Sequence, residues 1–350
     1  MGEYLIAPGA LTNLQQVLDS APRPEGPVIY LIDHHFAHGM LARRLPLKGA
    51  DTVFYLDTTD EPTTDGIDDL VVRFRQGAPA GAIVGIGGGA TLDSAKAVSN
   101  LLTNGGKAAD YQGWDLVPGP GLFKVGVPTL SGTGAEASRT CVMMNPAKNL
   151  KLGMNSDHTV FDRLVLDPEL TGTVPRNQYF YTGMDTYIHC IESLAGRYRN
   201  AFADACSDQA LRLCRDIFLG GGMQSPENRE KLMVASFLGG SAIGNSYVGL
   251  VHPFSAALSM VFHTHHCVGN CIVMNVMDEF YPHQTKEFRG MLELQRISLP
   301  AGVCAGLSDQ EFKALYDATI VHSKPLANAL GESFRDILTF DKVVEIFRRM

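Results

Sequence analysis

The sequence predicts two domains of different class: an N-terminal α/β domain built on a doubly wound parallel sheet, and an all-α C-terminal domain. Three observations predict this. A chain of 350 residues is long for one hydrophobic core and sufficient for two domains. Its first half alternates apolar runs with helical patterns, and its second half has apolar residues at intervals of three and four. We place the boundary at Asp167-Pro168, which gives domains of residues 1–167 and 168–350.

The apolar runs of the first half are short and rich in β-branched residues, as in strands that are buried on both faces. They cover residues 28–33, 52–57, 82–87 and 124–129, and helical patterns lie between them at residues 39–45, 64–77 and 91–102. This alternation predicts βαβ units and therefore a parallel sheet. Residues 150–154 and 164–167 predict two further short strands.

The second half keeps the helical spacing from residue 177 to residue 350, for example at residues 200–218 and 227–243. We expect Pro175 to begin the first long helix, because proline fits the first turn of a helix. Two domains of unlike class favour a small-molecule site in a cleft between them.

Composition excludes several classes of protein. The 37 acidic residues exceed the 29 basic ones, and no basic stripe is present, which argues against nucleic acid as a partner. No apolar run is long enough to span a bilayer, and the N-terminus lacks the pattern of a secretion signal. The seven cysteines are an odd number and are widely spaced, as reduced thiols are. We therefore expect a cytoplasmic protein with no membrane partner.

A glycine-rich stretch, GIGGGA at residues 85–90, ends a predicted strand and opens a predicted helix. Glycines let the backbone approach a phosphate closely, and the amides at a helix N-terminus complement its negative charge. The spacing fits G-x-G-x-x-A, although the loop follows the third predicted strand and not the first. We interpret it as a pyrophosphate-binding loop, and a tight turn without a ligand is the alternative.

Two further features concern the same ligand. The stretch PTLSGTG at residues 128–134 follows the next predicted strand and could wrap a second part of it. Asp33, at the carboxyl end of the first predicted strand, could accept hydrogen bonds from a ribose 2′-hydroxyl and would repel a 2′-phosphate. This favours NAD over NADP. A helix cap is the alternative role for Asp33.

A candidate metal site begins with Asp185 and His189, which are four residues apart and so lie on one side of a helix. His252 and His266 could supply two more ligands. They bracket an apolar stretch patterned like a buried helix and are fourteen residues apart. A straight helix would separate them by about 21 Å, whereas two ligands of one ion approach within roughly 4 Å. The chain must therefore turn back between them.

Other interpretations of these residues remain open. A histidine is more often a packed or solvated residue than a ligand. Cys267 and Cys271 beside His266 resemble a Cys-x-x-x-Cys zinc clip, but a closed structural site would need two more ligands.

Four motifs together carry a resemblance to a known family. They are GGGATLDSAK, PTLSGTGAE, GMDTYIHCIES, and GLVH together with HTHHCVGN. In the last of these, His266 lies fourteen residues after His252 of GLVH. In this order, and over nearly the whole chain, the four motifs resemble the iron-activated (group III) alcohol dehydrogenases, whose architecture is that of dehydroquinate synthase. In that family an α/β domain binds NAD(P), and a helical domain holds one divalent ion, zinc or iron.

The resemblance implies site residues at matching positions. The metal ligands are Asp185, His189, His252 and His266. The cofactor-binding residues are Asp33, Gly87, Gly88, Gly89, Asp93, Thr129, Ser131 and Lys151. Asp93 is expected near the nicotinamide end, and Thr129 toward the adenine.

The sequence departs from the family pattern near the metal ligands. Ala256 stands where many relatives have a histidine that relays a proton, so His263 and His265 become the candidate catalytic residues, with water and a ribose hydroxyl as alternatives. Cys267 replaces the usual glycine after the fourth ligand. These departures indicate a specialised substrate.

The whole sequence is most similar to a branch of the family that acts on sugar acids, oxidising the C8 hydroxyl of 3-deoxy-manno-octulosonate in lipopolysaccharide sugar modification. We therefore expect an NAD-dependent enzyme, a homodimer, that oxidises a primary alcohol or sugar acid. Arg139 and Arg197 are candidates to neutralise a sugar carboxylate. The alternatives are a dehydroquinate synthase-like lyase that uses NAD transiently, a non-catalytic dinucleotide-binding protein, and a structural zinc protein.

Overall fold

The computed structural model describes residues 3–20 and 22–350, and the chain divides into two compact units. The first extends to Thr173, and the second runs from Val174 to Met350. The predicted boundary at Asp167-Pro168 lies at the start of a 3-10 helix, Pro168–Thr171, which belongs to the first unit.

The first unit is an α/β unit with nine strands and three α-helices among the described residues. They are β1 (Glu3–Ile6), α1 (Leu14–Asp19), β2 (Val28–Asp33), β3 (Thr52–Leu56), α2 (Thr64–Arg75), β4 (Ala82–Gly87), α3 (Gly89–Asn104), β5 (Gly113–Trp114), β6 (Phe123–Pro128), β7 (Thr140–Asn145), β8 (Leu150–Asn155) and β9 (Arg163–Leu166). Short 3-10 helices lie between several of them.

Six strands form one parallel sheet in the order β1-β9-β6-β4-β2-β3. The central strands β2, β4 and β6 are almost wholly buried, as their apolar, β-branched composition predicts. Chain order reverses between β2 and β4, because β3 lies on one side of β2 and all later strands of this sheet lie on the other. The parallel α/β fold class predicted from the sequence is confirmed.

Some predictions of local structure were wrong. The predicted helix at residues 39–45 is only a 3-10 helix, Leu41–Arg44, because Pro46 follows at once and leaves no room for an α-helical turn. Residues 150–154 do form a strand, but it belongs to a separate three-stranded sheet, β5-β8-β7. Strands β1 and β7 were not predicted. β1 is a half-exposed edge strand, and β7 is buried only at alternate residues, so neither is a continuous apolar run.

Every element described in the second unit is a helix. They are α4 (Arg176–Ala195), α5 (Ala201–Phe218), α6 (Pro226–Asn245), α7 (Val251–Phe262), α8 (His266–Met274), α9 (Pro282–Gln295), α10 (Asp309–Ile320), α11 (Ser323–Leu330), α12 (Phe334–Ile337) and α13 (Phe340–Phe347). Pro175 caps α4 as expected. Across residues 3–20 and 22–350, the helices are all too short or too polar to cross a bilayer.

Helices α4 and α5 approach closely at Gly183, two residues before Asp185, the first residue of the candidate metal site. A Cβ atom added to Gly183 would lie 2.3 Å from Cζ of the buried Phe218 ring. The absence of a side chain at Gly183 therefore sets how closely α5 packs behind the candidate site.

We predict that Gly183→Ala lowers the free energy of unfolding by about 1–3 kcal/mol, because the added methyl group overpacks the contact with Phe218. Urea unfolding measures this. The matched control is Gly290→Ala in α9, where a Cβ would meet no atom within 4 Å. That change should raise stability by up to about 1 kcal/mol through helix propensity alone. Equal effects of the two substitutions would contradict the prediction.

Candidate metal centre and cofactor loops

Helix α4 presents three polar side chains along one buried face. Asp185, His189 and Glu192 are spaced four and three residues apart, so they project in the same direction from successive turns. All three residues are at most 3% exposed. A buried carboxylate or imidazole needs a partner, because burial removes the water that would otherwise solvate its charge. This face therefore requires polar groups from neighbouring helices.

Helices α7 and α8 supply those groups. His252 is the second residue of α7, and His266 is the first residue of α8. Between the two helices, His263 adopts a left-handed conformation with φ of 54°, which ends α7 and reverses the chain. The predicted turn between the two histidines is confirmed. This turn brings His266 back beside His252, with ring centroids 5.6 Å apart.

The structure brings the four predicted metal ligands together around Asp185. Its Oδ1 lies 3.5 Å from Nε2 of His189 and 3.3 Å from Nε2 of His252. Its Oδ2 lies 3.8 Å from Nε2 of His266. The candidate ligand atoms of Asp185, His189 and His252 all lie within 4.8 Å of one another. Three imidazole nitrogens thus lie within 3.8 Å of one or other oxygen of the Asp185 carboxylate.

Burial and charge act in opposite directions on these groups. Burial alone would raise the pKa of Asp185, but the surrounding imidazoles outweigh it and hold that pKa far below its usual range. Burial lowers the pKa of His189 to about 4, so its imidazole is neutral, as a metal ligand must be. Burial would also lower the pKa of His252, yet Glu192 and Asp185 raise it to about 9. The site is therefore strongly suited to a positive charge.

Glu192 is a residue of the site that the sequence interpretation missed. Its Oε2 accepts a hydrogen bond of 2.5 Å from Nδ1 of His252, and its Oε1 accepts one from the backbone N–H of Val251. Nδ1 is thus held by Glu192, and Nε2 is the nitrogen that faces Asp185. A bound cation would replace the proton on Nε2 and take its lone pair. The spacing of seven residues from Asp185 was the signal that could have found Glu192.

Asn270 was also missed, although it lies four residues after His266 on the same helix face. It is fully buried, and its Nδ2 donates a 2.6 Å hydrogen bond to Oδ1 of Asp185. The same Nδ2 lies 3.3 Å from Nε2 of both His252 and His266. The amide thus contacts three of the four candidate ligands. Cys267, also in α8, directs its thiol toward Oδ2 of Asp185 at 3.7 Å.

The residues present fit a divalent cation. One carboxylate and three imidazoles are a donor set that zinc and ferrous iron both accept. The side chains of Asp185, His189 and His252 are at most 11% exposed, whereas that of His266 is 27% exposed. The cluster is therefore accessible on the His266 side, as a site that admits a substrate must be. Within the described residues, the group with ligand atoms close enough to hold an ion comprises Asp185, His189 and His252 and includes neither Cys267 nor Cys271, which does not favour the closed Cys-x-x-x-Cys alternative.

We predict that Glu192→Gln weakens binding of zinc about 10- to 100-fold, because the amide no longer orients and polarises His252 through a charged hydrogen bond. Competition against a chromophoric chelator measures the affinity. Glu230→Gln, at an exposed position of α6, is the matched control and should leave it unchanged. Equal affinity of the Glu192 variant and the unmodified protein would contradict this role.

The predicted proton-relay residues lie apart from the buried cluster. His263 and His265 are both exposed in the three-residue link between α7 and α8, and His265 caps α8. Ala256, which replaces the relay histidine of relatives, is buried in α7. Their participation in catalysis stays a prediction.

The predicted cofactor residues converge at one edge of the parallel sheet. Asp33 ends β2, Gly87 ends β4, and Thr129 directly follows β6, and these three strands are neighbours. In open parallel sheets, ligands bind at the carboxyl ends of the strands where chain order reverses, and that position is between β2 and β4. The glycine-rich loop follows the fourth strand of the chain, because β1 was not among the predicted strands. It nevertheless lies where the chain order of the sheet reverses.

The two loops pack against each other, and the side chains of the second loop leave little room for side chains on the glycines of the first. The N–H of Thr129 donates to the carbonyl of Gly87 at 3.0 Å. A Cβ on Gly88 would lie 2.8 Å from Leu130, and one on Gly89 would lie 3.2 Å from Thr133. The glycines therefore bring the two loops within contact distance of one ligand.

Polar atoms beside these loops fit a bound dinucleotide. Within the described residues, Thr91 Oγ1, Asp93 Oδ1 and Ser131 Oγ are buried and have no hydrogen-bond partner. Gly88 begins α3 without a side-chain cap, so the first N–H groups of that helix are available to an anion. Buried polar atoms normally have partners, and their concentration here indicates a ligand-binding loop.

Asp93 and Lys151 lie in one group of buried charges. Oδ2 of Asp93 accepts from the N–H of Val142 at 2.9 Å, and Oδ1 lies 3.7 Å from Nζ of the fully buried Lys96. Lys151 forms a 2.7 Å ion pair with Glu61. Burial raises the pKa of Asp93 to about 6, and Lys96 only partly offsets it.

This pKa predicts how stability changes with pH. The folded protein keeps the proton of Asp93 up to about pH 6, whereas the unfolded chain releases it near pH 3.8, so stability from this group is lost as pH rises through that interval. The Asp93→Asn variant lacks this titrating group. Its free energy of unfolding minus that of the unmodified protein should therefore be up to about 3 kcal/mol larger at pH 7.5 than at pH 4. Urea unfolding of dinucleotide-free protein at both pH values measures this.

Asp60→Asn, at an exposed position, is the control and should follow the unmodified protein at both pH values. If the stability difference between the Asp93 variant and the unmodified protein were the same at both pH values, the buried proton on Asp93 would be ruled out.

Asp33 performs the capping role that was the alternative in the sequence. Its Oδ1 accepts from the N–H of His35 and so caps the 3-10 helix His34–Phe36, and its Oδ2 accepts from the hydroxyl of Thr58. These contacts orient the carboxylate at the end of β2. Recognition of a ribose by Asp33 stays a proposal.

The fold and the two sites define the class: an α/β unit with a phosphate-type loop at the strand switch point, followed by a helical unit that can hold one cation. The profile of the iron-containing alcohol dehydrogenases matches residues 2–168, and the profile of the C-terminal domain of the same family matches residues 179–310. The chain belongs to the iron-containing alcohol dehydrogenase family, and the resemblance seen in the sequence motifs is confirmed.

Two curated relatives illustrate the range of the family. Sulfoacetaldehyde reductase of Bilophila wadsworthia is 33% identical over 230 residues, which are 65% of this chain and 59% of that protein. NAD-dependent methanol dehydrogenase of Bacillus methanolicus is 29% identical over 237 residues, which are 67% of this chain and 62% of that protein. The match thus spans less than two thirds of either relative.

Solved structures share the fold. A 1,3-propanediol oxidoreductase superposes with a TM-score of 0.84 at 20% identity, covering 99% of this chain and 97% of that one. Sulfoacetaldehyde reductase from Bifidobacterium kashiwanohense, in complex with NAD+, gives a TM-score of 0.83 at 20% identity, covering 99% and 96%. At this identity the likeness establishes the fold alone.

Proposed function

We propose that this chain is an NAD- and metal-dependent oxidoreductase that converts a primary alcohol to an aldehyde. The observation that carries the proposal is the buried Asp185 carboxylate surrounded by His189, His252 and His266, accessible on the His266 side. A divalent cation matches this charge and donor set. Family membership supports alcohol chemistry, and the names of relatives that act on methanol and 1-propanol support a small alcohol or aldehyde.

Residues of the helical unit have distinct roles in the proposed reaction. The three histidines and Asp185 hold the cation, Glu192 keeps the lone pair of His252 Nε2 directed inward, and Asn270 restrains Oδ1 of Asp185. The bound cation supplies Lewis acidity, which lowers the pKa of a substrate hydroxyl as metal ions do for water.

Residues of the α/β unit hold the dinucleotide. The amides that begin α3 receive the pyrophosphate, while Thr129 and Ser131 contact a second part of the cofactor and Asp93 lies toward the nicotinamide. Asp33 accepts from the ribose 2′-hydroxyl and repels a 2′-phosphate, and Lys151 completes the binding residues. NAD+ held by these residues would supply the acceptor for the hydride of the carbinol carbon, and NADH would be the product.

The reaction also releases one proton, from the substrate hydroxyl. Ala256 cannot carry it, so we assign the transfer to solvent to a ring nitrogen of His263 or His265 in the exposed link. A ribose hydroxyl with water is the alternative route.

The narrower part of the proposal concerns the substrate and the setting. We propose a sugar acid, in particular the C8 hydroxyl of 3-deoxy-manno-octulosonate in lipopolysaccharide biosynthesis, on the basis of the resemblance described under Sequence analysis. Zinc or iron serves equally as the cation. The homodimer and the cytoplasmic location predicted from the sequence belong to the same proposal.

Two other functions make different predictions. A dehydroquinate synthase-like lyase would reduce its NAD only transiently, so NADH accumulating in step with aldehyde would exclude it. A non-catalytic dinucleotide-binding protein would have no use for the metal cluster. Native and denaturing mass spectrometry of the purified protein identifies the retained ion and dinucleotide, and a screen of primary alcohols and sugar acids follows.

We predict that His266→Ala abolishes alcohol-dependent NADH formation, because it removes one metal ligand, while dinucleotide binding measured by fluorescence titration stays within about twofold. His283→Ala, at an exposed position of α9, is the matched control and should keep full activity. An undiminished rate for the His266 variant would remove the metal site from the mechanism. Loss of dinucleotide binding would show that the substitution had disturbed more than the metal.

A further inference from the structure

Tyr247 lies in a backbone conformation that is unfavourable for a residue with a side chain. Its φ is 113°, the largest positive value among the non-glycine residues described. Such a conformation costs free energy, and it persists only where surrounding contacts impose it. Tyr247 belongs to the turn between α6 and α7, five residues before His252. A large side chain at a position suited to glycine calls for a function of that side chain.

A buried amide holds this turn in place. Asn328 in α11 is fully buried, and its Nδ2 donates to the carbonyl oxygens of Tyr247 at 3.2 Å and Val248 at 3.1 Å. Its Oδ1 accepts from the N–H of Tyr198 at 3.0 Å, and its carbonyl accepts from the N–H of Arg197. One side chain thereby fixes the turn before α7 and the link after α4 together.

The side chains on these segments form an aromatic and cationic surface. The rings of Tyr198 and Tyr247 meet edge to face, with centroids 5.5 Å apart and planes at 81°. Nζ of the half-buried Lys324 lies 5.2 Å from the centroid of the Tyr247 ring, within cation–π range. Tyr198 is 46% exposed, and Arg197 beside it is exposed too. We call these four residues the Tyr247 surface.

The same turn is joined directly to the metal-site residues. A Cβ on Gly249 would lie 3.2 Å from Cβ of Glu192, so the turn rests against the residue that orients His252. The hydroxyls of Ser246 and Ser193 are 2.7 Å apart, and the N–H of Val251 donates to Glu192. The Tyr247 surface therefore has a fixed position relative to the metal ligands within the helical unit.

We propose that the Tyr247 surface binds the carboxylate end of an alcohol substrate, with Lys324 and Arg197 supplying positive charge and the two tyrosine rings packing against its carbon chain. The inference rests on the proposed alcohol dehydrogenase function and specifies its substrate class, an alcohol that also carries a carboxylate. Arg139, the other candidate from the sequence, is committed elsewhere, because it forms ion pairs with both Asp115 and Asp157.

Two alcohols of equal length test this proposal. 6-Hydroxyhexanoate has a carboxylate at the far end, and 1,6-hexanediol has a hydroxyl there. The unmodified enzyme should have a higher kcat/KM for the hydroxy acid. Lys324→Gln should lower that value about tenfold through KM, while the value for the diol stays within about twofold. Tyr247→Gly, which also relieves the backbone, should lose the same preference for the hydroxy acid.

The matched control is Lys313→Gln, because Nζ of Lys313 lies 5.8 Å from the Tyr316 ring in a comparable cation–π pair on α10. It should leave both values unchanged. If Lys324→Gln changes the two alcohols equally, or neither, the proposal is overturned. An equal effect of Lys313→Gln on the hydroxy acid would also overturn it, since general surface charge would then explain the preference.

A binding measurement separates this proposal from the proposed function. Adipate has no hydroxyl to oxidise, so calorimetry with metal-loaded protein reports carboxylate binding without turnover. Binding that weakens about tenfold in Lys324→Gln, and not in Lys313→Gln, supports the Tyr247 surface even if neither alcohol is oxidised. No binding of adipate by the unmodified protein, with both alcohols oxidised equally well, would overturn the surface and leave the dehydrogenase proposal standing.

Discussion

The helical unit depends on one buried carboxylate. Asp185 is fully buried, and an isolated ionised carboxylate in that position would be very unfavourable. Three imidazoles and the Asn270 amide surround it and stabilise the charged form. Each of these groups belongs to α4, α7 or α8. The three helices must therefore pack together around Asp185 for its charge to be stabilised. The reversal of the chain at His263 serves the same requirement.

In the α/β unit, the main constraint is the close packing of the glycine-rich loop against the loop that follows β6. The side chains of Leu130 and Thr133 in the second loop fill the space beside the first loop, so glycines occupy positions 88 and 89. The buried Lys96 ties the loop to the smaller sheet, since its Nζ donates to the carbonyl oxygens of Ser138 and Thr140 at 3.1 Å and 2.8 Å. Among the described residues, Thr91 Oγ1, Asp93 Oδ1 and Ser131 Oγ are buried without a hydrogen-bond partner in or beside the cofactor loops. A ligand-binding loop requires a rigid support and polar atoms that are still able to form hydrogen bonds with the ligand. The contacts of Lys96 provide the support, and the unpartnered polar atoms provide the hydrogen-bonding groups.

Much of this was predictable because periodicity and spacing are local signals. Buried parallel strands have continuous apolar runs, and Asp185 and His189 are one helical turn apart, so both could be recognised without coordinates. The turn between His252 and His266 followed from the hypothesis that both hold one ion, since a straight helix would keep them too far apart. Glu192 and Asn270 were missed because a single carboxylate or amide on a helix face has no distinguishing pattern until its partner from another helix is known. The capping role of Asp33 was a sequence alternative because its bond to the N–H of His35 is local, whereas the bond from Thr58, two residues after β3, requires the sheet pairing to be known. Strand β1 was missed because half-exposed edge strands have no continuous apolar run.

Helix α8 has only nine residues and carries His266 at its first position. A helix of this length has little stability of its own in water. An ion held by His266 would pin the end from which such a helix frays most readily. Fraying of the first turn of α8 would then cost a metal–ligand contact as well as backbone hydrogen bonds. A bound ion would therefore keep the N-terminal turn of α8 helical.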